Sequence, residues 1–174
     1  MVHPACALLG KLPSSRVPAS LLAVSLVVLG SLNLATALQA RTRIDTRCGV
    51  TYGFKREAAL AFLIAHTAKG EPVLVYPYYP IYYFLSGTQN ATRFSIFVHG
   101  RNRPDQFRSA VESIESKRVR YVLWDTLITD KTLPQWFPAY IQPSPRDLIV
   151  ENYLLSHYHQ VGLEGDFRVL KRNE

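Results

Sequence analysis

The chain has 174 residues, of which 48% are hydrophobic and 19% charged, with a formal net charge of +7. That length admits one domain plus an appendage, and that composition excludes a generally disordered chain. Its two cysteines, Cys6 and Cys48, make no Cys-x-x-Cys pair and share no ligand spacing with a histidine, so neither a disulfide scaffold nor a structural zinc site is supported.

The first element in chain order is an apolar run over 17–40, "VPASLLAVSLVVLGSLNLATALQA", with no charge in 24 positions and with Arg16 and Arg41 at its ends. At about 1.5 Å per residue, its central portion matches a hydrocarbon core of about 30 Å. A single transmembrane anchor is therefore expected, preceded by a tail over 1–16 and followed by a juxtamembrane linker over 41–53. Cys6 and Cys48 then fall on opposite sides of a lipid bilayer and cannot pair within one chain. A cleaved signal is the rival reading, with Lys11 and Arg16 as its basic region and Ala35-Thr36-Ala37 as its cleavage site; the run is longer than a typical signal core. A buried core helix is the third reading. Basic residues flank both ends, so charge does not decide orientation. All thirteen acids lie beyond the run. Arg41, Arg43 and Arg47 form a basic collar beside it. The signs alternate over the rest of the chain, unlike a basic surface interleaved with aromatics, so no nucleic acid is expected as a partner.

A soluble α/β domain is expected over 54–174. Phe54, Ala58, Ala61, Phe62 and Ala65 recur at helical spacing, and Lys69-Gly70 closes that helix. "PVLVYP" is a continuous valine-rich run, as in a strand buried on both faces. Pro80 opens a short helix, "PIYYFLSG", on which Tyr79 and Tyr83 share a face and Tyr82 lies about 100° away. "RFSIFVHG", 93–100, reads as a second strand. Pro104 opens a further helix with Phe107, Ala110, Val111 and Ile114 as its apolar stripe. "VRYVLWD", 119–125, is the clearest strand. A proline-bearing loop follows over 126–143. Ser144-Pro145 starts a helix toward His157, and "HQVGLEGDFRVLKR" closes the chain as a hairpin about Glu164-Gly165-Asp166. Strands alternating with helices imply right-handed crossovers. The expected fold class is thus α/β: a single transmembrane helix, then a small three-layer sheet domain, mostly parallel with a C-terminal antiparallel hairpin.

Phosphate-cradling glycines are missing after the first strand, and there is no Gly-x-Ser-x-Gly elbow, so no cofactor is implied. What remains is a constellation at the carboxyl ends of the strands, where open α/β sheets bind ligands. Tyr76 and Tyr78, His99 with Arg101, and Asp125 all fall there, a set suited to a sugar or an anion. The competing reading makes Asp125 a loop cap, His99 a strand end in solvent and Arg101 a surface residue. His157 and His159 lack a convergent carboxylate, which argues against a metal. Glu112 and Glu115 read as a solvated helix face, and Trp124 and Trp136 as packing aromatics. Asn90-Ala91-Thr92 matches a glycosylation sequon.

The blocks "EAALAFLIAHTAKGEPVLVYPYYPIYYFLSG", "KRVRYVLWD" and "ENYLLSHYHQVGLEGDFRVLKR", after an apolar helix, resemble the C-terminal end of bacterial multi-pass membrane glycosyltransferases of the GT-C type. These are the polyprenyl-phosphate-sugar-dependent enzymes related to mannosyl and aminoarabinosyl transferases. The resemblance covers nearly the whole chain from the apolar run onward. It implies an extracytoplasmic domain at the inner membrane, near a lipid-linked sugar or glycan, with a multi-pass transferase subunit as partner. The family's catalytic aspartate lies in a loop that has no counterpart here, so no catalytic residue carries over. The expectation is a non-catalytic accessory, split or truncated transferase domain; the alternative is an independent tethered protein that binds a sugar or an anion.

Overall fold

The computed structural model describes residues 19–39, 42–53, 57–129 and 131–174. The chain forms two compact units, the first ending at Arg41 and the second running from Thr42 to Glu174.

In the first unit, α1 (Ala19–Gln39) forms within the apolar run. Within it the side chains of 23–34 are described, and all are exposed. Ser25, Ser31 and Asn33 fall in that span, and Asn33 donates its side-chain amide to the Leu29 carbonyl at 2.8 Å. Among the described residues no helix is long and apolar enough to cross a membrane. The transmembrane anchor expected over 17–40, and the single-pass placement built on it, are corrected accordingly.

The second unit opens with a hairpin, where a linker was expected over 41–53. Strands β1 (Thr42–Thr46) and β2 (Gly49–Gly53) pair antiparallel about an Arg47-Cys48 turn. Gly49 supplies the positive φ of 118° that the turn needs. Arg47 anchors the hairpin: its guanidinium donates to the carbonyls of Ser86, Ile64 and Thr67, and its backbone N–H donates to Leu85 O at 3.1 Å.

The main sheet has the order β4-β3-β5-β7-β6. Its strands are β3 (Pro72–Tyr76), β4 (Gln89–Asn90), β5 (Tyr121–Asp125), β6 (Tyr158–Glu164) and β7 (Phe167–Arg172). Contacts β3–β4 and β3–β5 are parallel; β5–β7 and β6–β7 are antiparallel. The sheet is therefore evenly mixed, where a mostly parallel one was expected. The central strands are buried on both faces, as their continuous apolar runs require.

Helices cover both faces. On one side α2 (Ala58–His66) and α3 (Ile81–Ser86) pack Leu60, Leu63 and Tyr82 against Val73, Val75, Leu123 and Val169. On the other, α4 (Pro104–Ser116) and α6 (Ile149–His157) pack Phe107, Ile114, Val150 and Leu154 against Leu74, Val122 and Leu170. Full burial of a Leu, Ile, Val or Phe contributes about 1.5–3 kcal/mol, so these two layers account for most of the sheet's hold on its helices.

Three local expectations change. Helix α2 is apolar nearly all round, and the face it buries is Ala59, Leu60 and Leu63, not Ala58, Ala61 and Ala65; Phe54, placed in the same stripe, lies outside the described residues. No strand forms over 93–100. The sheet edge is taken by two-residue β4, because Asn90 turns the chain: its Oδ1 accepts the Thr92 N–H at 3.0 Å and its Nδ2 donates to Phe94 O at 2.7 Å. Finally, Ser144 does not cap α6. Its hydroxyl donates to Asp147 Oδ2 at 2.7 Å, closing a separate turn, and the helix begins at Ile149. The loop over 126–143 contains a short helix, α5 (Leu133–Trp136).

Candidate functional site

The ladder fixes the floor of a cavity of about 370 Å³ at the carboxyl ends of the two central parallel strands. Tyr76 on β3 pairs with Trp124 on β5, and Trp124 pairs with Arg168 on β7. Residues in register on adjacent strands point to the same face, so these three side chains lie in a row toward α4 and α6. Tyr76 and Trp124 meet edge to face, with ring centroids 5.7 Å apart at 82°.

One wall comes from the chain after β4. Phe97 packs on Tyr76 (5.4 Å between centroids), and His99 stacks on Phe107 of α4 (4.5 Å, 12°). Gly100 lets this segment approach its neighbour. Its φ is 88°, and a Cβ there would lie 2.1 Å from the Ala139 carbonyl oxygen. The opposite wall is aliphatic, formed by Ile128, Leu133, Leu148 and Leu155.

Glu151 of α6 supplies the site's polar centre. Its Oε1 accepts a hydrogen bond from the Tyr76 hydroxyl and lies 3.3 Å from His99 Nε2. Its Oε2 is withdrawn from solvent and has no hydrogen-bond partner among the described residues. Burial pushes the carboxyl up, but hydrogen bonds from His99 and Tyr76 outweigh it and hold Glu151 below the usual glutamate range. A carboxylate that stays ionised can accept hydrogen bonds, but it is not poised to donate a proton as a general acid.

Of the five residues expected at the site, three line this cavity: Tyr76, His99 and Asp125. Tyr78 and Arg101 do not; both are exposed, and Tyr78 instead packs on the Tyr79 ring, 5.8 Å between centroids. Asp125 is 2% exposed and is chiefly a cap, its Oδ1 accepting the N–H groups of Leu127 (2.7 Å) and Ile128 (3.3 Å). It also borders a smaller cavity of about 140 Å³ on the other face of the sheet, beside Glu57, Tyr79 and Tyr82. There the Tyr82 hydroxyl donates to Glu57 Oε2 at 2.6 Å, and burial and that carboxylate raise the phenol well above its ordinary range.

The residues that sequence reasoning missed are Glu151, Trp124 and Arg168. Glu151 carried one signal: an acid among apolar neighbours in "LIVENYLL", one helical turn before Leu155 and three residues from buried Leu154. Trp124 was expected to pack, and it does, but it also floors the cavity.

The histidine pair does not converge. His157 Nδ1 lies 3.0 Å from Tyr153 O, whereas His159 Nδ1 lies 2.8 Å from Asn173 Oδ1. Among the described residues no group of three His, Cys, Asp or Glu side chains is placed to hold a metal ion.

Comparison with protein-family models, with curated proteins and with solved structures finds no match.

Proposed function

We propose that the second unit is a non-catalytic saccharide-binding domain and that the cavity floored by Tyr76 and Trp124 holds a sugar unit. The observation that carries this reading is the cavity's pairing of an aromatic floor, Tyr76 and Trp124, with one ionised carboxylate, Glu151. Sugar hydroxyls are donors, and the ring's C–H faces pack on aromatic surfaces such as Trp124. The cavity's volume lies within the range typical of small-molecule sites.

An anion fits less well. It would meet the two carboxylates Glu151 and Asp125 against one lining arginine, Arg168, which is exposed; Arg101, the cation expected to greet it, lies outside the cavity. Hydrolysis of a glycoside also fits poorly, because that chemistry needs a protonated acid opposite a second carboxylate. Glu151 stays ionised, and Asp125 Oδ1 is occupied by two backbone N–H groups. The resemblance to the C-terminal domains of GT-C glycosyltransferases points to the same ligand class and to an accessory role beside a separate transferase subunit.

The test is titration of the full chain with neutral saccharides, followed by tryptophan fluorescence. A saturable change that is lost in Trp124→Ala, and weakened at least about tenfold in Glu151→Gln, is expected for a hydrogen bond to a charged acceptor. Equal affinity in the wild type and in Glu151→Gln would remove the proposed site.

A further inference from the structure

Glu151 is held by two donors on one oxygen. The Tyr76 hydroxyl, from the end of β3, and His99 Nε2, from the segment after β4, converge on Oε1. Neither donor approaches Oε2. The His99 ring is itself fixed by its stack on Phe107, and the Tyr76 ring by Phe97 and Trp124. Both donors therefore reach the carboxylate from side chains with little freedom to turn away.

We propose that Tyr76 and His99 are positioning residues whose shared grip on Oε1 keeps the Glu151 carboxylate charged and oriented in the cavity wall. A role for this grip in binding rests on the saccharide reading above; the grip itself does not.

The other charged and titratable groups lining the cavity are few. Asp125 stands at the end of β5 and Arg168 on β7; α4 contributes the Phe107 ring under His99, not a charge. Asp125 disfavours a second negative charge nearby, and Arg168, on an exposed strand position, favours it weakly through solvent. Without the two donors, burial is the dominant influence on Glu151, and burial favours the neutral acid. A protonated Glu151 could still accept, but as a weaker partner than a carboxylate.

The measurement needs no ligand, so it separates this proposal from the saccharide reading. The Glu151 side-chain carboxyl carbon is followed by NMR across a pH titration in four forms of the full chain: wild type, Tyr76→Phe, His99→Phe and His99→Gln. The phenylalanines preserve the ring packing and remove the donor; glutamine restores an N–H donor without an imidazole. The wild-type midpoint is expected below the ordinary glutamate value of about 4.3. It should move upward in Tyr76→Phe and in His99→Phe, and return toward the wild-type value in His99→Gln. Midpoints that stay together in all four forms overturn the proposal, as does a midpoint in His99→Gln that matches His99→Phe. If His99→Phe does not fold, Tyr76→Phe alone decides by the same criterion. A shifted midpoint in a protein that binds no saccharide would uphold the grip and sink only the function built on it.

Discussion

Asp125 and Glu151 are two carboxylates on one cavity with different roles. Asp125 stabilises: it takes two N–H groups at the start of the loop after β5, in a position 2% exposed. Asp125→Ala leaves those donors buried without a partner. It is expected to lower unfolding stability by about 1–3 kcal/mol in urea denaturation. Glu151 is the group that links the site to pH. Its folded value lies below the unfolded one, so its ionisation contributes stability that is full above about pH 4.3 and is lost as the pH falls through the folded value. Glu151→Gln should therefore flatten the acid limb of a stability–pH curve, with the loss of stability largest at neutral pH and smallest at acid pH. Gly100 is a third residue-scale constraint. A methyl group there meets the Ala139 carbonyl oxygen at 2.1 Å on a backbone with φ of 88°, so Gly100→Ala is expected to cost about 2 kcal/mol or more and to lower the melting temperature.

At the scale of elements, the β1–β2 hairpin shows how a single side chain ties a peripheral piece to a core. Arg47 satisfies carbonyls at the end of α2 and at the end of α3, groups that helix ends leave without intrahelical partners. Arg47→Ala should cost about 1.5–3 kcal/mol, and hydrogen exchange should rise at the hairpin and at the end of α3 before it rises in β3 or β5. The sequence made some elements plain and hid others for identifiable reasons. β3, β5 and α4 were legible because their burial follows a local pattern: continuous valines, or apolar residues at three- and four-residue steps. The hairpin over 42–53 reads as a linker from sequence because its arginines match a membrane collar, although Ile44 and Gly49 mark a strand and its turn. The 93–100 segment alternates like a strand, with Phe94, Ile96 and Val98. What excludes it from the sheet is the Asn90 turn three residues upstream of Arg93, a side-chain hydrogen bond that no periodicity reports. The buried face of α2 is not legible from periodicity because a helix that is apolar nearly all round has no stripe to read.

On the scale of the whole molecule, the mixed sheet matters more than any one helix. Antiparallel β7, lying directly beside central β5, puts Arg168 next to Trp124 and completes a floor from three strands. That placement depends on register between residues more than forty positions apart, which is why Tyr76 and Asp125, at the ends of β3 and β5, could be placed at this edge from the sequence while Arg168 and Glu151 could not; His99 reaches the cavity from a segment that forms no strand. Tyr78, two residues past the end of β3, and Arg101, in the turn after His99, lie outside the cavity because the chain has already turned away there. The central claim is that the cavity takes a neutral saccharide through Glu151 and Trp124. Its most direct test is an amide NMR titration of the full chain and of Glu151→Gln with a panel of neutral saccharides, with inorganic phosphate as the anionic control. Saturable shifts from at least one saccharide, centred on Tyr76, His99, Trp124 and Glu151, absent with phosphate and weakened in Glu151→Gln, are the predicted result. Shifts produced by phosphate but by no saccharide, or saccharide shifts unchanged in Glu151→Gln, would contradict it.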